Sequence, residues 1–173
     1  MNRLMFALGL ILLAASSRLL PHPANVAPIT ALALFGGVYL GKRLAFAVPL
    51  LAMFLSDAVL GFHAAMIWVY GSFAATVLIG FWLRRHQGVL TTAGATVAGS
   101  VLFFVVTNFG MWATPGGLYP HTVAGLGACY AAAIPFFRNS MFGDLAYAGA
   151  LFGLFELGKR YLPVLQDRAP VER

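Results

Sequence analysis

The sequence predicts an all-α integral membrane protein of about six transmembrane helices, with both termini cytoplasmic. Three observations carry that expectation. Of the 173 residues, 61% are hydrophobic and only 9% are charged. Mean hydropathy is +0.85. The few charges fall between apolar runs. An ordinary soluble domain is about 45–50% apolar and about 25% charged. Here 11 Lys and Arg with 5 Asp and Glu cannot cover the surface of a globule this size, which argues against a soluble enzyme. The net charge of +6 is dispersed between apolar segments and makes no nucleic-acid-binding face. Cys129 is the single cysteine, so no intramolecular disulfide and no multi-cysteine metal cluster is expected.

A helix needs roughly 20 mostly apolar residues to cross a bilayer. Span 1 is expected over residues 4–20 and stops at Pro21-His22-Pro23. Span 2 is short, 26–40, and ends at Gly41-Lys42-Arg43. Span 3 covers 44–60 and closes on Gly61-Phe62-His63. Span 4 runs over 65–83 into Arg84-Arg85-His86, and span 5 over 90–113 into Thr114-Pro115-Gly116-Gly117. Residues 125–137 are apolar but too short to span. They read as a re-entrant or interfacial segment, with a surface helix on the outer face as the alternative. Residues 140–157 form span 6. The expected organisation is one transmembrane domain, 1–160, and a short cytoplasmic tail, 161–173.

Charge placement sets the orientation. With the N-terminus inside, the cytoplasmic side holds nine cations: Arg3, Lys42, Arg43, Arg84, Arg85, Lys159, Arg160, Arg168 and Arg173. The outer side holds two, Arg18 and Arg138. Short cytoplasmic loops carry such an excess. Trp68 and Trp112 fall near outer span ends and Trp82 near an inner end, where amphipathic rings favour the headgroup layer. Asn2-Arg3, the apolar stretch and Ala14-Ala15-Ser16-Ser17 also fit a cleaved signal peptide. Arg18 to Pro23, however, reads as a functional outer loop, which favours a retained first span. Gly37-x-x-x-Gly41, Ala95-x-x-x-Gly99 and Gly149-x-x-x-Gly153 would let helix backbones approach closely.

Polar side chains inside a membrane are costly, so each is a functional candidate. They gather at the outer span ends. Arg18, His22, Asn25 and Thr30 lie around loop 1, and Ser56, Asp57 and His63 at the span 3–4 turn. Asn108 and Trp112 close span 5, while Tyr119, His121, Tyr130, Arg138, Asn139 and Asp144 surround loop 5. Such a one-sided cluster reads as a binding site open to the outside. Each member also has a structural reading. Arg18 and Arg138 would pair with Asp57 and Asp144, an Asp57–Arg138 pair included. His63 would cap span 4, His22 is held rigid between two prolines, and Cys129 would be a small buried hydrophobe. Thr107 and Asn108 would be interhelical hydrogen-bond partners, and Glu156 would pair with Lys159 and Arg160 on a helix end.

No active site assembles. Ser72 has no histidine at its depth for a serine protease. Asp57 and Asp144 lack the flanking motifs of a di-aspartyl protease, and H-E-x-x-H is absent. No catalytic residue is expected.

Residues 29–41, a short basic turn, and Ala47 to Asp57 ending in Leu55-Ser56-Asp57 resemble the second and third helices of energy-coupling-factor transporter S components. The chain also resembles a group of small bacterial membrane proteins carrying Pro-His-Pro-x-Asn, Ser-Asp-x-x-Leu-Gly-Phe-His, Thr-Asn-Phe-Gly and Pro-Phe-Phe-Arg-Asn-Ser. Here those motifs are Pro21–Asn25, Ser56–His63, Thr107–Gly110 and Pro135–Ser140. The resemblance implies an S-component-like bundle in the bacterial inner membrane that captures a vitamin-like or metal-chelate substrate on its outer face. It also implies a shared scaffold and cytoplasmic ATPase subunits as partners. The Ala-x-x-x-Ala docking face of helix 1 is missing, since Ile11 stands four residues after Ala7 and Arg18 four after Ala14. That points to a solitary transporter of the cobalamin type. The expected substrate contacts are Asp57, His63, Asn108, Trp112, Arg138 and His22, with His63 as the metal ligand of a corrinoid. The other reading is a membrane scaffold or assembly protein whose polar cluster is purely structural.

Overall fold

The computed structural model describes residues 3–18, 26–62, 65–162 and 165. These form six helices and, among the described residues, no strand: α1 (Arg3–Ser17), α2 (Ile29–Tyr39), α3 (Lys42–Leu60), α4 (Met66–Leu83), α5 (Val89–Ala113) and α6 (Val123–Tyr161). Two of them, α4 and α5, are long and apolar enough to cross a membrane. The helix α2 spans 11 residues, or about 16 Å, shorter than the expected second span.

The centre of the bundle is α2, which packs against all five other helices. Nine of its residues, Thr30 to Val38, are buried. Its closest neighbour is α4, where two glycines bring the backbones together. A Cβ on Gly37 would stand 2.6 Å from the Val77 carbonyl oxygen and 2.7 Å from Gly80 Cα. A Cβ on Gly80 would stand 2.7 Å from the Leu34 carbonyl oxygen. Of the three small-residue patterns, Gly37 and Gly99 are used at crossings. Gly41, Gly149 and Gly153 face open space.

Helix directions alternate, and their ends sort into two poles. At one pole the end of α1 meets the end of α3 through Arg18 and Asp57, and the start of α4 meets the end of α5 through Trp68 and Phe109. At the other, the end of α2 meets α1 and α6 in an aromatic cluster of Phe6, Phe35, Tyr39, Phe152 and Phe155. Arg3, Lys42, Arg43, Arg84, Arg85, Lys159 and Arg160 all lie at or beside this second, cationic pole. Arg168 and Arg173 lie outside the described residues. The flanks are apolar and exposed, with Leu13 on α1, Leu55 and Val59 on α3, Leu78 on α4, Val101 and Val105 on α5, and Phe142 on α6.

The segment 125–137 is not separate from the helix that follows it. It is the first third of α6, a continuous helix of 39 residues, about 58 Å long. Thr122 caps its start by accepting the Gly125 N–H at 3.1 Å. The polar run Arg138-Asn139-Ser140 contains no helix breaker, and Ser140 bonds back to the Phe136 carbonyl at 3.2 Å. α6 lies antiparallel on α5, through Tyr130 to the Val105 carbonyl (2.7 Å), Phe137 on Phe104 (4.6 Å between ring centres) and Ser100 beside Asp144 (2.7 Å).

Candidate functional site

The pole away from the cations holds most of the polar residues that the sequence singles out, in two clusters. The first is built on Asp57, 5% exposed in the last turn of α3. Arg18, one residue beyond α1, places Nη2 at 3.0 Å from Asp57 Oδ1. The Tyr70 hydroxyl of α4 donates to Asp57 Oδ2 at 2.8 Å. The other Arg18 terminal nitrogen reaches Ser56 Oγ and Met53 Sδ. Three helix ends are thus tied by one carboxylate. Gly61, with φ of 106°, ends α3 by returning its N–H to the Asp57 carbonyl at 2.7 Å. A left-handed turn of that kind favours glycine.

The second cluster joins α4, α5 and the start of α6. The Trp68 ring lies directly on Gly110, where any Cβ would collide with it, and packs edge-on against Phe109 at 5.6 Å. Trp112 donates its indole N–H to the Pro120 carbonyl at 2.9 Å and packs against His121. The Asn108 side-chain amide donates within its own helix to the Phe104 carbonyl at 2.8 Å, and the Asn108 backbone carbonyl accepts from the buried Cys129 thiol at 3.5 Å. The motif Thr-Asn-Phe-Gly is therefore a packing seat for Trp68 and Cys129. A depression of about 350 Å³ between Ala65, Met111 and Thr114–Leu118 lies beside it.

Among the described residues, the expected contacts make no direct bond to one another. No hydrogen bond or ring contact among the described residues links Asp57 to Asn108 or Trp112. Arg138 pairs with neither acid. It sits within α6, one residue past Phe137, is exposed, and makes no ion pair among the described residues. The continuity of α6 carries it away from the loop where the sequence places it. Asp57 is satisfied by Arg18 instead. His22 and His63, with the proposed metal ligation, lie outside the described residues. Among those described, no group of three metal-ligating side chains occurs.

Two features were not singled out from the sequence. One is a cavity of about 550 Å³ at the cationic pole, between α2, α5 and α6. Its lining is mostly apolar, with Thr92, Thr96, Ala148, Gly149 and Phe152 in its walls and Gln87, Glu156 and Lys159 at its mouth. Glu156 accepts from Tyr39 at 2.9 Å and pairs with Lys159 at 2.6 Å. The helical repeat of small residues in α5 and α6 was the signal for this gap. The other feature is Arg84, whose guanidinium donates to the Gly37 carbonyl at 2.6 and 3.1 Å and to the Leu40 carbonyl. It satisfies the unpaired carbonyls at the end of α2.

Fold and site together define an all-helical bundle with one cationic pole, apolar flanks and buried polar ties between helix ends. The chain belongs to the family of unknown function DUF6580, whose sequence pattern matches residues 1–165. No curated protein and no solved structure matches it.

Proposed function

We propose that this chain is a multi-pass protein of the bacterial inner membrane, organised like a transporter S component, that binds and takes up a small vitamin-like or metal-chelate substrate. The observation that carries the membrane reading is the union of exposed apolar flanks with cations gathered at one pole. Such flanks are stable against lipid, and a cationic pole is retained on the cytoplasmic side. At 25 residues, α5 is about 37 Å long, enough for a hydrocarbon core of about 30 Å. Binding at the outer pole is supported by the depression of about 350 Å³ between Ala65, Met111 and Thr114–Leu118, at the low end of the range of roughly 300–1,000 Å³ seen for small-molecule sites. Cobalamin is the first substrate to test, with His63 as its cobalt ligand, and a scaffold with ATPase subunits is the candidate partner. Native mass spectrometry and absorption spectra of the detergent-purified chain, with and without added cobalamin, test it. A retained or acquired small molecule supports uptake, and failure to bind cobalamin removes the corrinoid assignment.

A second reading, a membrane scaffold with a structural polar cluster, is favoured by one observation. Asp57 is already satisfied by Arg18 and Tyr70. The two separate on the ligand: a small molecule retained or acquired by the purified chain supports the first, and a folded chain that neither carries nor acquires one supports the second.

A further inference from the structure

We propose that Asp144 is a proton-binding site inside the bundle, exchanging with solution through the cavity at the cationic pole. Asp144 is 4% exposed and lies in the middle of α6. Its Oδ2 is 2.7 Å from Ser100 Oγ on α5, and the Thr30 hydroxyl of α2 faces the same carboxyl. Thr76 of α4 is fully buried nearby, against the position of Gly99.

Among the described residues no charge compensates it. α5 carries no ionisable residue at all. The ionisable residue of α2 is Tyr39, bonded to Glu156 at the cationic pole, and that of α4 is Tyr70, bonded to Asp57 at the other pole. Arg18 of the α1 end is held by Asp57, and on α3 the remaining cations, Lys42 and Arg43, stand at the cationic pole. On α6 itself Arg138 is exposed, the Tyr147 hydroxyl meets Ser17 at 3.0 Å, and Glu156 pairs with Lys159. A carboxylate buried without a cation is costly, and such a group neutralises by taking a proton.

The hydrogen-bond geometry accommodates that proton. Ser100 Oγ has two acceptors in reach, Asp144 Oδ2 and the Thr96 carbonyl at 3.0 Å, but only one proton to give. With Asp144 protonated, its O–H donates to Ser100 Oγ, and the Ser100 O–H donates to the Thr96 carbonyl. Each proton then has one acceptor. Thr96, Leu145 and Ala148 line the cavity, so its wall stands one helical turn from the acid. The step is a simple exchange: the carboxylate takes a proton from solution in one direction and returns it in the other. It requires no bound substrate and stands apart from the uptake proposal.

Infrared spectroscopy of the full chain in lipid nanodiscs, in H₂O and D₂O across a pH series, tests this. The expected result is a carboxylic-acid carbonyl band that shifts in D₂O, grows as pH falls and is lost as pH rises. Asp144→Asn abolishes it and Glu156→Gln does not. Ser100→Ala, which keeps the acid but removes its acceptor, shifts the band. Gly149→Phe, at a cavity-lining residue where an added Cβ meets nothing within 4 Å, slows the D₂O shift. Absence of the band at every pH, or its survival in Asp144→Asn, overturns the proposal. If Asp144→Asn does not fold, an unmoved band in Ser100→Ala overturns it equally. An exchange rate unaffected by Gly149→Phe overturns the route through the cavity.

Discussion

Arg18 and Asp57 form an ion pair at 3.0 Å whose side chains are 11% and 7% exposed, tying the end of α1 to the end of α3. A pair this buried costs about as much to desolvate as it returns, yet removing one partner leaves an unpaired charge. Asp57→Asn or Arg18→Met is therefore expected to lower stability by roughly 3–5 kcal/mol. The double variant recovers most of that loss. Arg138→Met, at an exposed residue without an ion pair, stays within about 0.5 kcal/mol of the parent. Thermal unfolding in one detergent compares all four.

The crossing of α2 and α4 gives a second prediction. Gly37→Ala drives a methyl into the Val77 carbonyl and the Gly80 backbone, which cannot yield as a side-chain tip does. Overpacking of this kind costs typically 1–3 kcal/mol. Gly149→Ala meets nothing within 4 Å, and replacing a helical glycine by alanine there gains about 0.5–1 kcal/mol. Equal effects at the two positions, measured by unfolding midpoints, would contradict the packing described.

How much of this was legible in the sequence depended on the range of the interaction. The helices followed from apolar runs and their Gly, Pro and Arg punctuation, and α4 and α5 fall close to the expected spans. The pairing of Glu156 with Lys159 was readable because it is local. What failed was long-range. Asp57 had two arginines to choose from on composition alone, and only the meeting of two helix ends selects Arg18. Arg138 was misplaced because a proline and a polar run resemble a helix end, whereas Pro135 is accommodated within α6. The roles of Gly110 under Trp68 and of Arg84 over α2 depend on contacts across tens of residues, which no periodicity reports. The pattern Thr107–Gly110 was visible, but its packing role was not.

Arg84 provides the third prediction. Its planar fork serves two carbonyls of α2 at once, and Lys cannot reproduce that geometry. Arg84→Met leaves those acceptors without their partner and is expected to cost about 1–3 kcal/mol, with Arg84→Lys between it and the parent. The neighbouring Arg85 is exposed and its change to Met is expected to be silent. Hydrogen exchange of α2 amides, measured alongside the unfolding midpoint, localises the loss to the end of that helix. Uniform exchange across the bundle would contradict the capping role.

The central claim is that the bundle crosses the membrane with its cationic pole inside. In a Cys129→Ser background, single cysteines at Gly116 and at Gln87 are treated in intact cells with a membrane-impermeant thiol reagent. The account predicts labelling at 116 and none at 87 until the cells are opened. Labelling at 87 with protection at 116 would reverse the orientation, and recovery of the chain in the membrane-free soluble fraction after lysis would remove the membrane reading itself.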